Sequence, residues 1–210
     1  MTAATPALAP RPSRPPAPAT IDDWLAIPAE RRAELVDGRI VYQGMPGPVH
    51  GSVQKRLGTA LAPYDRRRRD PDAPGGWWIS LEVDMHLAGM GCRPDLLGWE
   101  RALHPRLPAP DERGLVTVVP GWICEVLSKN TASVDMGAKR AGYHRAGVGW
   151  YWLVDPHNRT LTVLQHTERD YLVSRVAGPG ERVAAEPFAG VEVDLDEVFD
   201  FDDEPAPERA

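Results

Sequence analysis

Trp122-Ile123-Cys124-Glu125-Val126-Leu127-Ser128 is an apolar run broken by one carboxylate. Continuous hydrophobicity of this length marks a strand buried on both faces, and so a central one. An ionised Glu in such a strand is costly unless it is paired or metal-bound. Upstream, Cys92-Arg93-Pro94-Asp95-Leu96-Leu97-Gly98-Trp99 sets an Asp at the start of a second apolar run. Downstream, Asp135, Lys139 and Tyr143 stand four apart on one face of a helix expected over 133–146 and closed by Gly147. Two carboxylates and an ammonium gathered by a sheet can hold a divalent metal and a phosphate, the equipment of metal-assisted phosphodiester hydrolysis.

Each member has a plainer reading. Glu125 can be a strand-end residue facing solvent. An Asp after Pro is commonly a turn residue. Asp135 and Lys139 can be an i,i+4 helix pair worth a few tenths of a kcal/mol. As a catalytic ammonium, Lys139 would be replaceable by Met with folding nearly intact.

The sequence around these strands supplies the frame. Thr20-Ile21-Asp22-Asp23 is a capping signal for a short helix carrying Trp24. Two β-prone runs flank Asp37-Gly38, the pattern of a tight hairpin. Pro48 opens a helix with Val49, Val53, Leu57, Ala60, Leu61 and Tyr64 on its apolar side, ended by Pro63. His50 and Gln54 share a face beside that stripe. Four arginines, Arg66 to Arg69, follow near the negative end of its dipole and read as a solvated helix end. Residues 77–87 alternate apolar and polar with period two. A four-residue turn, residues 88–91, would pair Leu87 with Cys92. Asp84 would then face Asp95, with Glu82 one step along. Residues 100–119 form a long loop. A hairpin is expected around Pro156-His157-Asn158, then a strand over 171–176, then a short helix capped by Asp194. The fold class is therefore α/β (α+β) with a mixed sheet and β-hairpins.

Composition bounds the rest. The chain has 210 residues, enough for one medium domain with a sizeable core. Residues 1–19 read as a Pro-rich disordered arm, in which Arg11 and Arg14 could touch a polyanion. Residues 20–199 form the domain and 200–210 an acidic tail. A net charge of −6 argues against a sequence-independent nucleic-acid coat. Cys92 and Cys124 are expected as buried free thiols in a reducing compartment, with the cytoplasm as the location. No apolar run approaches membrane-spanning length. Zinc-spaced Cys pairs, a Gly-rich phosphate loop and a nucleophile elbow are all missing from the sequence.

From Trp24 to Phe199 the chain resembles the Uma-two-type restriction-endonuclease family of the PD-(D/E)XK nuclease superfamily. The resemblance runs through Glu34-Leu35-Val36-Asp37-Gly38, Pro48-Val49-His50, Glu82 and Pro94-Asp95. Its most specific part is Glu125-Val126-Leu127-Ser128, Asp135, Lys139, Tyr143 and Tyr151-Trp152-Leu153-Val154-Asp155-Pro156. It implies a mixed β-sheet flanked by helices and an Mg²⁺- or Mn²⁺-dependent endonuclease. Asp95, Glu125 and Glu82 would be the metal ligands. Lys139, His50 and Glu34 would complete the catalytic set. Nucleic acid, DNA foremost, would be the substrate, and a second copy of the chain is a candidate partner. The superfamily pattern Glu-x-Lys is broken here, because Leu127 stands where the Lys belongs, and Lys139 on the following helix would replace it. Ser128-Lys129-Asn130 likewise replaces the family's Ser-Pro-Ser. Two rival classes stand beside the enzyme: a catalytically silent binding or regulatory module on the same fold, and a structural partner protein using its seven Trp.

Overall fold

A computed structural model describes residues 17–70, 73–128 and 131–201. Arg11, Arg14, Lys129, Asn130 and most of the expected tail lie outside the described residues.

A six-stranded mixed sheet carries the fold. Its strands are β3 (Trp77–Leu81), β6 (Leu96–Glu100), β7 (Trp122–Val126), β8 (Trp150–Asp155), β9 (Thr160–His166) and β10 (Tyr171–Ala177). They lie in the order β10-β9-β8-β7-β6-β3. β7 is central and buried at every position, as its unbroken hydrophobicity requires. It runs parallel to β8 and antiparallel to β6. A four-stranded sheet combines the hairpin β1 (Ala33–Val36) and β2 (Arg39–Tyr42) with β4 (Met85–Leu87) and β5 (Met90–Cys92), in the order β2-β1-β5-β4. β11 (Arg182–Ala184) and β12 (Glu192–Asp194) form a small ribbon that the sequence pattern did not announce.

Helices cover both faces of the large sheet. α1 (Ile21–Leu25) begins at the Thr20 capping box. α2 (Pro48–Leu61) buries Val53, Leu57 and Leu61 against Trp122, Cys124, Trp152 and Val154. Val49, expected on that stripe, is exposed in the first turn. On the opposite face, α3 (Ala132–Val134) runs through a π turn, Asp135–Lys139, into α4 (Arg140–Ala146). There Tyr143 packs with Ile123, Tyr151 and Leu153. Gly147 ends α4 in the left-handed region at φ 85°. α5 (Leu195–Val198) is capped by Asp194. Cys92 and Cys124 are free and buried.

The 77–87 run differs from its expected form. It is two strands in two sheets. β3 pairs with β6 and β4 with β5, and the ladder breaks between them at Glu82, whose φ is 49°. Arg93-Pro94-Asp95 fills the matching gap on the return path. Pro94 has no N–H to donate, so the ladder cannot continue through it. The turn is also tighter than expected. Ala88 and Gly89, both at positive φ, form it alone, and Leu87 pairs with Met90. The register therefore moves by two residues. Asp84 meets Arg93, whose guanidinium grips it in two bonds of 2.7 and 2.9 Å, and does not face Asp95. Gly91 is a strand residue here. A Cβ at that position would overlap the Trp24 ring, so the glycine serves close packing and not a turn.

Candidate active site

β6 and β7 pair Leu97 with Ile123 and Leu96 with Cys124. Asp95 immediately precedes β6, beside the end of β7 that carries Glu125. Val126 N–H donates to Asp95 Oδ2 at 2.7 Å and locks the Asp against the strand. Gln54 of α2 donates to the Asp95 carbonyl at 2.9 Å, and His50 Nε2 lies 3.2 Å from Asp95 Oδ2. The N-terminal half of α2 thus holds Asp95 from one side of the sheet.

The π turn and α4 hold Glu125 from the other side. Lys139 Nζ is 2.7 Å from Glu125 Oε1, and Tyr143 Oη donates to the same oxygen at 2.7 Å. Lys139 Nζ also lies 3.1 Å from Glu34 Oε2 and 3.2 Å from Asp135 Oδ1. Its three donors therefore face three carboxylates. Glu34, on β1, further accepts Arg93 N–H at 2.8 Å and the Gln43 side-chain amide. A π turn widens the helix by one residue per turn and is common at functional sites. Here it spans the two residues, Asp135 and Lys139, that reach the Glu125 side chain's surroundings.

Glu34, Asp95, Glu125 and Asp135 are all buried, against one buried lysine among the described residues. That leaves an excess of negative charge. Burial pushes the Glu125 carboxyl well above its ordinary range. Lys139 opposes this, while Asp135, Asp95 and Glu34 add to it. Burial acts to discharge Lys139, but Glu125, Glu34 and Asp135 outweigh it and hold the ammonium charged. Burial likewise works against a charged His50, and its hydrogen bond and charge attraction to Asp95 reverse the balance, so its pKa is raised.

Asp95, Glu125, Asp135 and His50 line one cavity of about 110 Å³, together with Arg32, Gln43, Ser128 and Thr131. Asp95 Oδ1 and Glu125 Oε2 make no hydrogen bond among the described residues, whereas Asp135 Oδ1 has the Lys139 ammonium at 3.2 Å. Among the described residues no group of three or more His, Cys, Asp and Glu side chains is placed to hold a metal ion. Mg²⁺ does not require such a group. It is commonly held by one or two carboxylates, with waters and substrate phosphates filling the remaining positions. Two opposed carboxylates with free oxygens and surplus negative charge fit that ion.

The remaining sequence-derived residues are distributed unevenly. Glu34 and Lys139 sit behind the cavity as supports and do not line it. Glu82 stands apart, about a third exposed, with its carboxylate 3.9 Å from Arg32. Gln43, Arg32 and Thr131 carried no sequence signal, because each gains its place only through the packing of β1–β2 and α3 around the sheet.

The Uma2 family, described as a putative restriction endonuclease, matches residues 19–196. The chain belongs to that family. The match runs from α1 into the start of α5 and covers every residue of the cavity. Among curated proteins none matches the chain. A crystal structure of a putative nuclease belonging to DUF820 from Anabaena variabilis shares the fold. Its TM-score is 0.67 at 20% identity, covering 87% of this chain and 98% of that one. The Uma2 chain is thus a mixed α+β protein of restriction-endonuclease type. No helix among its described residues is long and apolar enough to cross a membrane.

Proposed function

We propose that this Uma2 protein is a divalent-metal-dependent endonuclease acting on nucleic-acid phosphodiester bonds, with duplex DNA as substrate. The observation that carries the reading is the one cavity that Asp95 and Glu125 both line, with Asp95 tied to the Val126 N–H next to Glu125. Both would hold Mg²⁺ or Mn²⁺ through hard oxygen ligands. Bound there, the ion would acidify a coordinated water and polarise the scissile phosphate. His50 orients Asp95 and reaches the cavity wall, where it can exchange a proton. Tyr143 and Lys139 fix Glu125 Oε1 and leave Oε2 toward the cavity. Lys139 acts through Glu125, since it is 1% exposed and enclosed by carboxylates. Glu34 positions Lys139, and Glu82 positions Arg32 near the cavity.

The enclosed lysine also favours one competing reading, a nuclease fold that binds nucleic acid without cutting it. Turnover separates the two. Purified protein is incubated with duplex DNA, single-stranded DNA and RNA, with Mg²⁺, with Mn²⁺ and with EDTA. Metal-dependent cleavage that disappears in Asp95→Asn and Glu125→Gln is the expected result. Binding without cleavage under every condition would leave the silent module.

A further inference from the structure

The six-stranded sheet has a second built feature at its other end. Asp95 precedes β6 at the Asp95–Glu125 cavity, and Glu100 closes the strand. Beyond Glu100, three chain segments meet: residues 64–69 after α2, residues 75–77 entering β3, and residues 100–102 leaving β6. They are tied by backbone bonds. Gly76 N–H donates to Arg66 O at 2.6 Å, Trp77 N–H to Tyr64 O at 3.1 Å, and Arg101 N–H to Gly76 O at 2.8 Å. Gly75, at φ 149°, lies so close that a Cβ would come within 3.1 Å of Arg68 Cα. The arginine run is therefore held in one shape.

Its side chains divide into two groups. Arg101 is fixed, with its guanidinium 3.3 Å from the Trp78 ring centre and its Nε donating to Trp77 O at 2.6 Å. Arg66 and Arg68 reach carbonyls of their own loop. Arg67 and Arg69 are exposed and make no polar contact among the described residues. Arg67, Arg68 and Arg101 line a cavity of about 370 Å³. The helix dipole does not account for this run. α2 ends at Leu61, so the first of the four arginines comes five residues later, beyond the last turn where a dipole acts. Five guanidinium groups, of Arg66 to Arg69 and Arg101, stand here against the carboxylates of Asp65, Asp70, Asp72 and Glu100 in the sequence of a chain whose net charge is −6, and Asp65 already pairs with Arg101 at 3.7 Å.

We propose that this arginine platform is a backbone-contact site for the duplex DNA whose scissile phosphate enters the Asp95–Glu125 cavity. The proposal rests on the nuclease reading for the position of the cut strand, but not for the binding itself. The five residues of β6 separate the two sites by about 17 Å at strand rise. One strand of B-DNA advances about 3.4 Å per nucleotide, so the platform meets a phosphate roughly five nucleotides from the cut. Contact there neutralises DNA charge away from the acidic cavity, which an acidic protein needs to hold a polyanion.

The test measures binding of a fluorescent 20-base-pair duplex, in EDTA and again in Ca²⁺, across a salt series. Compared are wild type, Arg67→Ala/Arg69→Ala and a charge-matched control, Arg39→Ala/Arg145→Ala, at exposed arginines on β2 and α4. The platform pair should weaken binding and reduce the slope of log K against log salt by about 1.8, the value for two lost phosphate contacts. The control should leave the slope unchanged. Equal effects from both pairs, or none from the platform pair, would overturn the proposal, as would no DNA binding by wild type. If the platform pair alters the slope but wild type never cleaves, the platform stands and the nuclease reading falls. If wild type cleaves and the platform pair binds normally, the reverse holds.

Discussion

Lys139 illustrates how burial changes the meaning of a residue. An i,i+4 Asp–Lys pair on a solvated helix is worth a few tenths of a kcal/mol, and Met could replace the lysine at little cost. Among the described residues its ammonium is the only buried cation beside Glu34, Glu125 and Asp135. Lys139→Met leaves those carboxylates uncompensated, and a broken buried pair costs about 3–5 kcal/mol. Urea denaturation should show a loss of that order, partly relieved in Lys139→Met/Glu34→Gln. A variant as stable as wild type would remove the lysine from the charge cluster. His50 gives a pH signature at the same scale. Its pKa is raised in the folded state, so its contribution is complete below the unfolded value of about 6.5 and is lost as pH rises through the folded value. In EDTA, the melting-temperature gap between wild type and His50→Gln should be widest below about pH 6.5 and narrow above it. A gap independent of pH would mean that His50 does not pair with Asp95 as a cation.

Elements here are joined at points where a side chain will not fit. Gly142 lies inside α4, where Gly→Ala ordinarily gains about 1 kcal/mol. Its absent Cβ leaves room for the buried Met90 side chain of β5. Gly142→Ala should therefore destabilise, by about 1–3 kcal/mol, the usual cost of overpacking. Gly91→Ala should do the same by pushing Trp24, and with it α1, off the small sheet. Thermal melts check both, and a rise in melting temperature for Gly142→Ala would show that propensity outweighs packing there. The interrupted hairpin is the other joint. Glu82 at positive φ and Pro94 without an N–H turn one ladder into two, so that β3 and β6 stay in the large sheet while β4 and β5 join β1.

Across the whole molecule, the sheet separates two cores, and the site lies where elements from both sides converge. α2 brings His50 and Gln54 from one face, and the π turn brings Asp135 and Lys139 from the other. On the proposed reading, metal binding there and folding are one equilibrium. Mg²⁺ or Mn²⁺ should raise the wild-type melting temperature by mass action. Asp95→Asn should lose most of that shift. It should also melt higher than wild type in EDTA, because one of several crowded carboxylates is gone. An equal metal shift in both proteins would exclude Asp95 as a ligand.

Local chemistry was enough to establish most elements in advance. The Thr20 box, the Asp37-Gly38 hairpin, the Pro48 helix start, the unbroken run of β7 and the Gly147 stop are each decided by neighbours within a few residues. The fold class and the odd carboxylate Glu125 were legible for the same reason, since periodicity and an unexplained charge are properties of short stretches. The β4–β5 register was not legible, because Ala88 adopts positive φ against its own preference, and Gly91, read as a turn residue, is a strand residue packed under Trp24. β11 and β12 escaped notice because three-residue strands carry too little pattern. The partners of Lys139 were also decided only by tertiary structure. Glu34 lies 105 residues before it in the chain. A charge cluster spanning that distance is assembled by sheet order and by burial, which raise the cost of every unpaired charge until the carboxylates and the single ammonium share one site.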